Sequence, residues 1–337
     1  MIKEYHISGF YLLIALFLLL LVTSCTYDYF EDETNYVVYI PKADKNVRTE
    51  DYKVEDVNIL IYNGDLQKER YSYHPFAENA RSIYGNFNFR LYPGTYSVYN
   101  FTELQETSLI DLSSHSQARF ELKQSADGLY YEEPQAIYVE YKNPTIHFPG
   151  PLVIDTVLFE TKYTGRICIA FKNLTKIDPS LTYNNIKKIK IEARGIGVTQ
   201  YLSKMDVITD NTRSSRKTPD DKMLLTSTPF KLEYKDFEFG VQNNYYPSPD
   251  LSQEGREFEP IDLNLSFIGQ DDTSLSYLNI AVKDKNRNPV VLHMDETLVV
   301  EVDGNNITIL RLDNLEEWNP QIESEDDSDP SGGGISI

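Results

Sequence analysis

The chain has 337 residues, 41% of them hydrophobic, and 52 acidic against 32 basic side chains give it a formal net charge of −20 at pH 7. An acidic body of this kind repels nucleic acid and anionic lipid headgroups, which excludes both as partners held by charge. Only two cysteines are present, so no disulfide framework exists and stability must come from packing, for which 25 Tyr and 16 Phe supply large side chains suited to pleated sheets.

The N-terminus opens Met1-Ile2-Lys3-Glu4 and then runs apolar from Phe10 to Val22, thirteen residues without a charge. A membrane-crossing helix needs about 20 such residues, whereas the apolar core of a signal peptide needs roughly 7–15. Val22-Thr23-Ser24-Cys25 follows and resembles the lipobox of bacterial lipoproteins, in which the Cys thiol takes a diacylglycerol before cleavage. Residues 1–24 are therefore expected to be a signal peptide and Cys25 a lipidated first mature residue. An uncleaved anchor helix, or plain secretion with an incidental Cys, is the alternative. Cleavage would remove one Lys and one Glu and leave the net charge at −20. Tyr27-Asp28-Tyr29-Phe30-Glu31-Asp32-Glu33, within the segment 25–34, is an acidic spacer that resembles the surface-export signal of Bacteroidota lipoproteins.

From there a period of two recurs. Tyr36-Val37-Val38-Tyr39-Ile40, β-branched and aromatic and stopped by Pro41, predicts a first strand. Val57–Tyr62 predicts a second, running into the turn residues Asn63-Gly64-Asp65. Phe87–Leu91 and Thr95–Tyr99 lie on either side of Tyr92-Pro93-Gly94 and read as a hairpin with one face on a core. Ser113 to Gln124 lacks Gly and Pro and is expected to hold a short helix. Strands resume at Ala136–Tyr141 and Leu152–Thr161. A second series begins at Arg166-Ile167-Cys168-Ile169-Ala170-Phe171, where Cys168 reads as a small half-buried strand residue rather than an intermolecular disulfide or a reactive thiol. Ile189–Ala193, Phe230–Tyr234, Ile261–Phe267, Leu275–Val282, Val290–His293 and Leu298–Val302 follow. Asp303-Gly304-Asn305 is a hairpin turn that returns Ile307–Leu310. Residues 205–222 read as a polar loop, with Arg213-Ser214-Ser215-Arg216-Lys217 solvated or protease-accessible, or else a patch for an acidic partner.

Many short strands separated by turn residues indicate an all-β chain of two tandem sandwiches, about 35–155 and 156–320, with 321–337 an acidic and Gly-rich tail. No constellation for catalysis emerges. His6, His74, His115, His147 and His293 have no His or Cys neighbour at metal-ligand spacing, and there is no phosphate loop or nucleophile elbow, so neither enzyme activity nor a cofactor is expected. Three sequons begin at Asn100, Asn173 and Asn306 and are read as chance. Asp155-Thr156-Val157 resembles an O-glycosylation pattern.

The order of features carries a resemblance: a lipobox, an acidic spacer, Val57–Tyr62 into Asn63-Gly64, Leu91-Tyr92-Pro93-Gly94-Thr95-Tyr96-Ser97-Val98, a long polar insertion, and a second series from Thr164-Gly165-Arg166-Ile167. Over roughly residues 25–320 this resembles the fimbrillin superfamily of Bacteroidales, most of all its lipid-anchored accessory subunits of the FimB type. The resemblance implies two transthyretin-like sandwiches and an outer-membrane, surface-exposed protein whose partners are fimbrial shaft or accessory subunits. It implies a role in anchoring a pilus and limiting its length by β-strand complementation. Shaft subunits lose a first strand to an Arg-specific protease, whereas anchor subunits keep theirs. Tyr36, Val37, Val38, Tyr39 and Ile40 are then the candidate retained strand, Arg48 is expected to stay uncut, and Ile307 and Ile309 are candidate contacts to a neighbouring subunit. The competing reading is a surface glycan-binding lipoprotein of a polysaccharide-uptake system, its Tyr side chains stacking on sugars.

Overall fold

The computed structural model describes residues 34–44, 57–63, 84–102, 104, 106–205, 212–232, 234–255 and 258–312, and helix among them is limited to short 3-10 turns. The fold is all-β, as the period of two requires. Two sheets form the first sandwich. One has the order β3-β1-β9, from β1 (Tyr36–Asp44), β3 (Tyr84–Phe89) and β9 (Val153–Thr156). The other has the order β10-β7-β4-β2, from β2 (Val57–Asn63), β4 (Gly94–Thr102), β7 (Tyr138–Lys142) and β10 (Thr161–Lys162), with the short β8 (Thr145–Ile146) also on β4.

The second sandwich has a five-stranded sheet in which β11 (Gly165–Lys172) lies between β16 (Phe239–Tyr245) and β19 (Thr297–Asp303), with β15 (Phe230–Lys231) and β20 (Asn306–Leu312) outermost. Its partner sheet has the order β14-β12-β17-β18, from β12 (Ile186–Arg194), β14 (Lys222–Ser227), β17 (Asp262–Gly269) and β18 (Ser274–Ala281). A third small sheet joins β5 (Thr107–Ile110), β6 (Arg119–Leu122) and β13 (Thr199–Tyr201).

The sheet containing β2 and β4 is a wall between two cores. Val57, Ile59, Ile61, Tyr96 and Val98 face the first core together with Tyr36, Val38 and Ile40. Leu60, Tyr62, Tyr99 and Phe101 face the opposite way, into the large core that continues through Phe120 and Tyr163 to Ile167, Ile169 and Phe171. This explains the continuous apolar run Ile59-Leu60-Ile61-Tyr62 in β2: a strand covered on both faces has no polar side to alternate with. At the junction Phe120, Tyr163 and Tyr246 meet edge to face, with centroids 4.9–5.6 Å apart, the arrangement their quadrupoles favour. β11 is covered on both sides too, for Cys168 and Ala170 pack under Leu232, Tyr234 and Phe237.

The structure corrects four expectations. Phe87–Leu91 and Thr95–Tyr99 do not pair: β3 joins β1, β4 joins β2 and β7, and Tyr92-Pro93-Gly94 carries the chain from one sheet to the other. Phe87 and Leu91 therefore meet Tyr96 and Val98 across the core, and the Tyr96 hydroxyl donates to the Tyr92 carbonyl (2.8 Å) to hold the corner. Ser113–Gln124 is not helical but enters β6, where Ala118, Phe120 and Leu122 are buried at intervals of two. Val290–His293 is not a strand. Its backbone bonds are met singly, by the Ser248 side chain and backbone at Leu292 and by Val282 at Val290. The basic run of the 205–222 loop is pinned rather than free, although Lys217 to Asp220 stay exposed. Ser214 is buried, the nearly buried Arg216 side chain donates to Glu254 and to Glu259 (2.8 Å), and Lys217 pairs with Glu121. The Asp303–Asn306 hairpin forms as expected, with Gly304 at φ 56° supplying the left-handed residue of its tight turn.

Candidate strand-retention site and subunit contacts

β1 is the middle strand of its sheet. Its alternation places Tyr36, Val38 and Ile40, each 0% exposed, in the first core, while Val37 and Tyr39 face the other way. Three side chains of this size buried together contribute about 5–8 kcal/mol of apolar transfer free energy. On one edge Tyr36, Val37, Val38 and Tyr39 pair antiparallel with Phe89, Asn88, Phe87 and Asn86. On the other they pair parallel with Val153, Ile154, Asp155 and Thr156.

The residue before the strand, Asn35, fastens it. Its backbone N–H donates to the Phe89 carbonyl (3.2 Å) and its carbonyl accepts from the Val153 N–H (3.1 Å). Its side-chain amide donates to the Leu91 carbonyl (2.7 Å) and accepts from the Leu91 N–H (2.8 Å). One residue thus ties the start of β1 to both neighbours. Next to it, the Tyr36 hydroxyl donates to the Asp155 carboxylate (2.9 Å), and Tyr36 packs on Phe89 with ring centroids 6.0 Å apart. Burial first, and the Asp155 charge second, push the Tyr36 hydroxyl far above the usual tyrosine range, so it stays a donor. At the far end the Val157 N–H donates to the Tyr39 carbonyl (2.8 Å).

Strands in a sheet lie about 4.8 Å apart, so β3 and β9 flank a slot about 10 Å wide that one strand fills. Its floor is the apolar first core, with Ile59, Ile61, Val98, Val157 and Phe159. Both walls would expose backbone donors and acceptors if β1 left.

Ile307 and Ile309 lie far along the chain on β20, the outer strand of the five-stranded sheet. Ile307 is exposed, and Ile309 packs partly against the large core. They stand on a different sheet from β1 and do not converge with it. Cys25 and Arg48 lie outside the described residues, as does the turn beyond Asn63. Cys168 is fully buried, and burial pushes its thiol up to about 12 although Arg166 and Lys162 pull it down. Of the sequon asparagines, Asn100 is fully buried with its amide donating to the Glu140 carbonyl, while Thr156 of the other pattern is exposed on β9. Among the described residues no group of three or more His, Cys, Asp or Glu is placed to hold a metal ion, and no helix is long and apolar enough to cross a membrane. Asn35 and Asp155 carry no sequence signal for the part they play. An Asn before a β-branched run reads only as a strand boundary.

No protein-family model matches the chain, and no curated protein matches it in sequence. Among solved structures it is similar to a candidate adhesin of Bacteroides ovatus (14% identity, 75% of this chain and 84% of that one, TM-score 0.47). It is also similar to a candidate polysaccharide-binding protein of Bacteroides thetaiotaomicron (12% identity, 83% and 98%, TM-score 0.46). A third similar structure is the tip fimbrial protein Mfa3 of Porphyromonas gingivalis (8% identity, 82% and 97%, TM-score 0.40).

Proposed function

We propose that this chain is a lipid-anchored subunit of the cell surface that ends a fimbria at the outer membrane. In this reading Cys25 carries the lipid and β1 stays in place. The observation that carries it is the position of β1, fastened on both edges by Asn35 and Tyr36 within its own sandwich. A subunit whose slot is filled by its own strand cannot take a neighbour's strand there, so strand-by-strand growth stops at this protein. Arg48 follows β1 directly, and cleavage there would part the body from its tether, so the anchor reading requires the Arg48–Thr49 bond to stay intact. The chain then meets shaft or accessory subunits through another edge, for which Ile307 and Ile309 on β20 are the candidates. It acts by binding rather than catalysis.

The glycan-binding alternative calls for a row of exposed rings. The two most exposed described tyrosines, Tyr92 (83%) and Tyr277 (71%), stand in different sandwiches.

Mass spectrometry of the protein from cells tests the anchor. An acylated Cys25 with an intact Arg48–Thr49 bond is expected, and a mature chain starting at Thr49 refutes the reading. Deleting the gene should give longer filaments shed into the medium, while filaments of unchanged length and retention count against it. Ile307→Asp, a surface change, should leave the fold intact and release filaments from the cell. Retention equal to that of the native chain removes β20 as the contact.

A further inference from the structure

Among the described residues, β9 is an outermost strand whose free edge carries no strand partner. Among these residues it pairs with β1 alone, and its Val153 and Val157 N–H groups donate to that side, to Asn35 and Tyr39. By strand alternation the N–H groups of Ile154 and Thr156 turn outward. The open stretch is bounded at both ends. Pro149 and Pro151 have no N–H before it, and the Glu140 carboxylate accepts the N–H groups of Leu158 (2.7 Å) and Phe159 (3.1 Å) after it. Four large apolar side chains crowd this segment, Phe148 at 56%, Leu152 at 50%, Ile154 at 58% and Leu158 at 41% exposure. Natural sheets usually blunt such edges with Lys or a bulge, because a flat apolar edge recruits other strands. Residues 148–160 contain neither Lys nor Arg.

We propose that the open edge of β9 is a docking site for an extended, basic segment of a different polypeptide, which adds as a further strand beside Ile154 and Thr156. Charge selects the partner. The edge carries the exposed Glu160 and Asp155, whose carboxylate also accepts from Tyr36, Glu140 stands beside it with Lys142 as its counter-charge (2.6 Å), and the chain bears a net charge of −20. A second copy would bring the same carboxylates against themselves, whereas a strand alternating apolar with Lys or Arg side chains meets Leu152 and Ile154 with one set and the carboxylates with the other. The added strand does not displace β1. The site is thus independent of the lipid on Cys25 and of any fimbrial role, and the proposed anchor function could fail while this edge still binds.

The test uses the full chain in detergent and a fluorescent Lys-Val-Lys-Val-Lys-Val peptide, with Glu-Val-Glu-Val-Glu-Val as its acidic counterpart. Anisotropy should show saturable binding of the basic peptide, weakened by salt and at least tenfold weaker for the acidic one. Amide exchange at Ile154 and Thr156 should slow on binding. Ile154→Lys, which installs the missing edge charge at an exposed position, should weaken binding at least tenfold. Thr156→Pro, which removes an outward N–H, should do the same, and if that variant misfolds the Ile154→Lys result decides alone. Equal binding of both peptides, binding unchanged by Ile154→Lys, protection on β20 instead of β9, β9 protected by self-association without peptide, or β9 protected by phosphatidylcholine vesicles would each overturn the proposal.

Discussion

Replacing Asn35 by Ala isolates the fastening of β1 from the burial of its side chains. The substitution removes the two side-chain hydrogen bonds to the Leu91 backbone (2.7 and 2.8 Å) and leaves the two backbone bonds to Phe89 and Val153 in place. A typical hydrogen bond contributes about 1 kcal/mol net, and a buried group left unmatched costs more. Leu91 is 5% exposed, but Asn35 is only half-buried, so water can reach part of the vacated space. These considerations set the loss at about 2 kcal/mol, which corresponds to about a 30-fold rise in the opening equilibrium of the strand end. Native-state hydrogen exchange reads this directly. The amides of residues 36–40 should exchange about 30-fold faster, while those of β12 in the second sandwich should not change. Asn35→Asp retains the acceptor for the Leu91 N–H but sets a carboxylate against the Leu91 carbonyl, and it should loosen β1 at least as much as Ala. If Asn35→Ala speeds these amides less than threefold, retention of β1 rests on apolar burial alone.

Three further outcomes follow from buried groups. Val38→Asp places a charge at a fully buried position in the first core, costing several kcal/mol, and limited proteolysis should then cut the first sandwich under conditions where the native chain resists. With its thiol at about 12, only about one Cys168 in 10,000 is ionised at pH 8, so iodoacetamide should label it after denaturation and barely before; rapid native labelling would contradict its burial in β11. Burial raises the Glu133 carboxyl above its usual range, against the opposing hydrogen bonds from the Asn244 N–H (2.8 Å) and the Asn243 amide (2.9 Å). A carboxyl with a raised folded-state pKa favours folding below its unfolded value, and that contribution is lost as pH rises through the folded one. The stability of the native chain relative to Glu133→Gln, from urea melts at pH 4 and pH 7, should therefore be lower at pH 7. A relative stability that rises with pH would reverse the sign.

How much the sequence disclosed depends on whether a strand's neighbours are close in the chain. Strands with one wet face were legible: β12 shows Ile189, Ile191 and Ala193 buried between the exposed Lys190 and Arg194, and β19 and β20 are joined by a turn that Gly304 announces. β16 was missed because Phe239, Val241 and Tyr245 keep the two-residue period only across the buried Asn243, matched by the Ser227 hydroxyl (2.9 Å) and Glu133 (2.9 Å), and Gly240 between them adds no polar side chain. β6 was hidden by the serines before it, although Ala118, Phe120 and Leu122 hold the two-residue period. The supposed hairpin at Pro93 failed for a different reason. Alternation says which side of a strand is buried but not which strand lies beside it, and the partners of β3 and β4 are more than thirty residues away in sequence. The basic run Arg213–Lys217 misled because its counter-charges, Glu121, Glu254 and Glu259, are distant in sequence.

The candidate site follows the same rule. The alternation of Tyr36–Ile40 predicts a strand with one buried face, but nothing local says that both its edges are occupied, since Phe87 and Val153 both lie far downstream in the chain. Occupation of both edges is what the anchor role proposed above requires. An edge strand peels away one hydrogen bond at a time, whereas a middle strand drawn along its axis by a tether at its N-terminal end must shear both ladders together, with Asn35 at the loaded end. Behind β1 the wall of β2, β4 and β7 is shared with the second core, so a first sandwich opened at β1 still has its far face packed against Phe120 and Tyr163. The strand that closes the slot can therefore be loosened by changes at Asn35 without unfolding the body behind it.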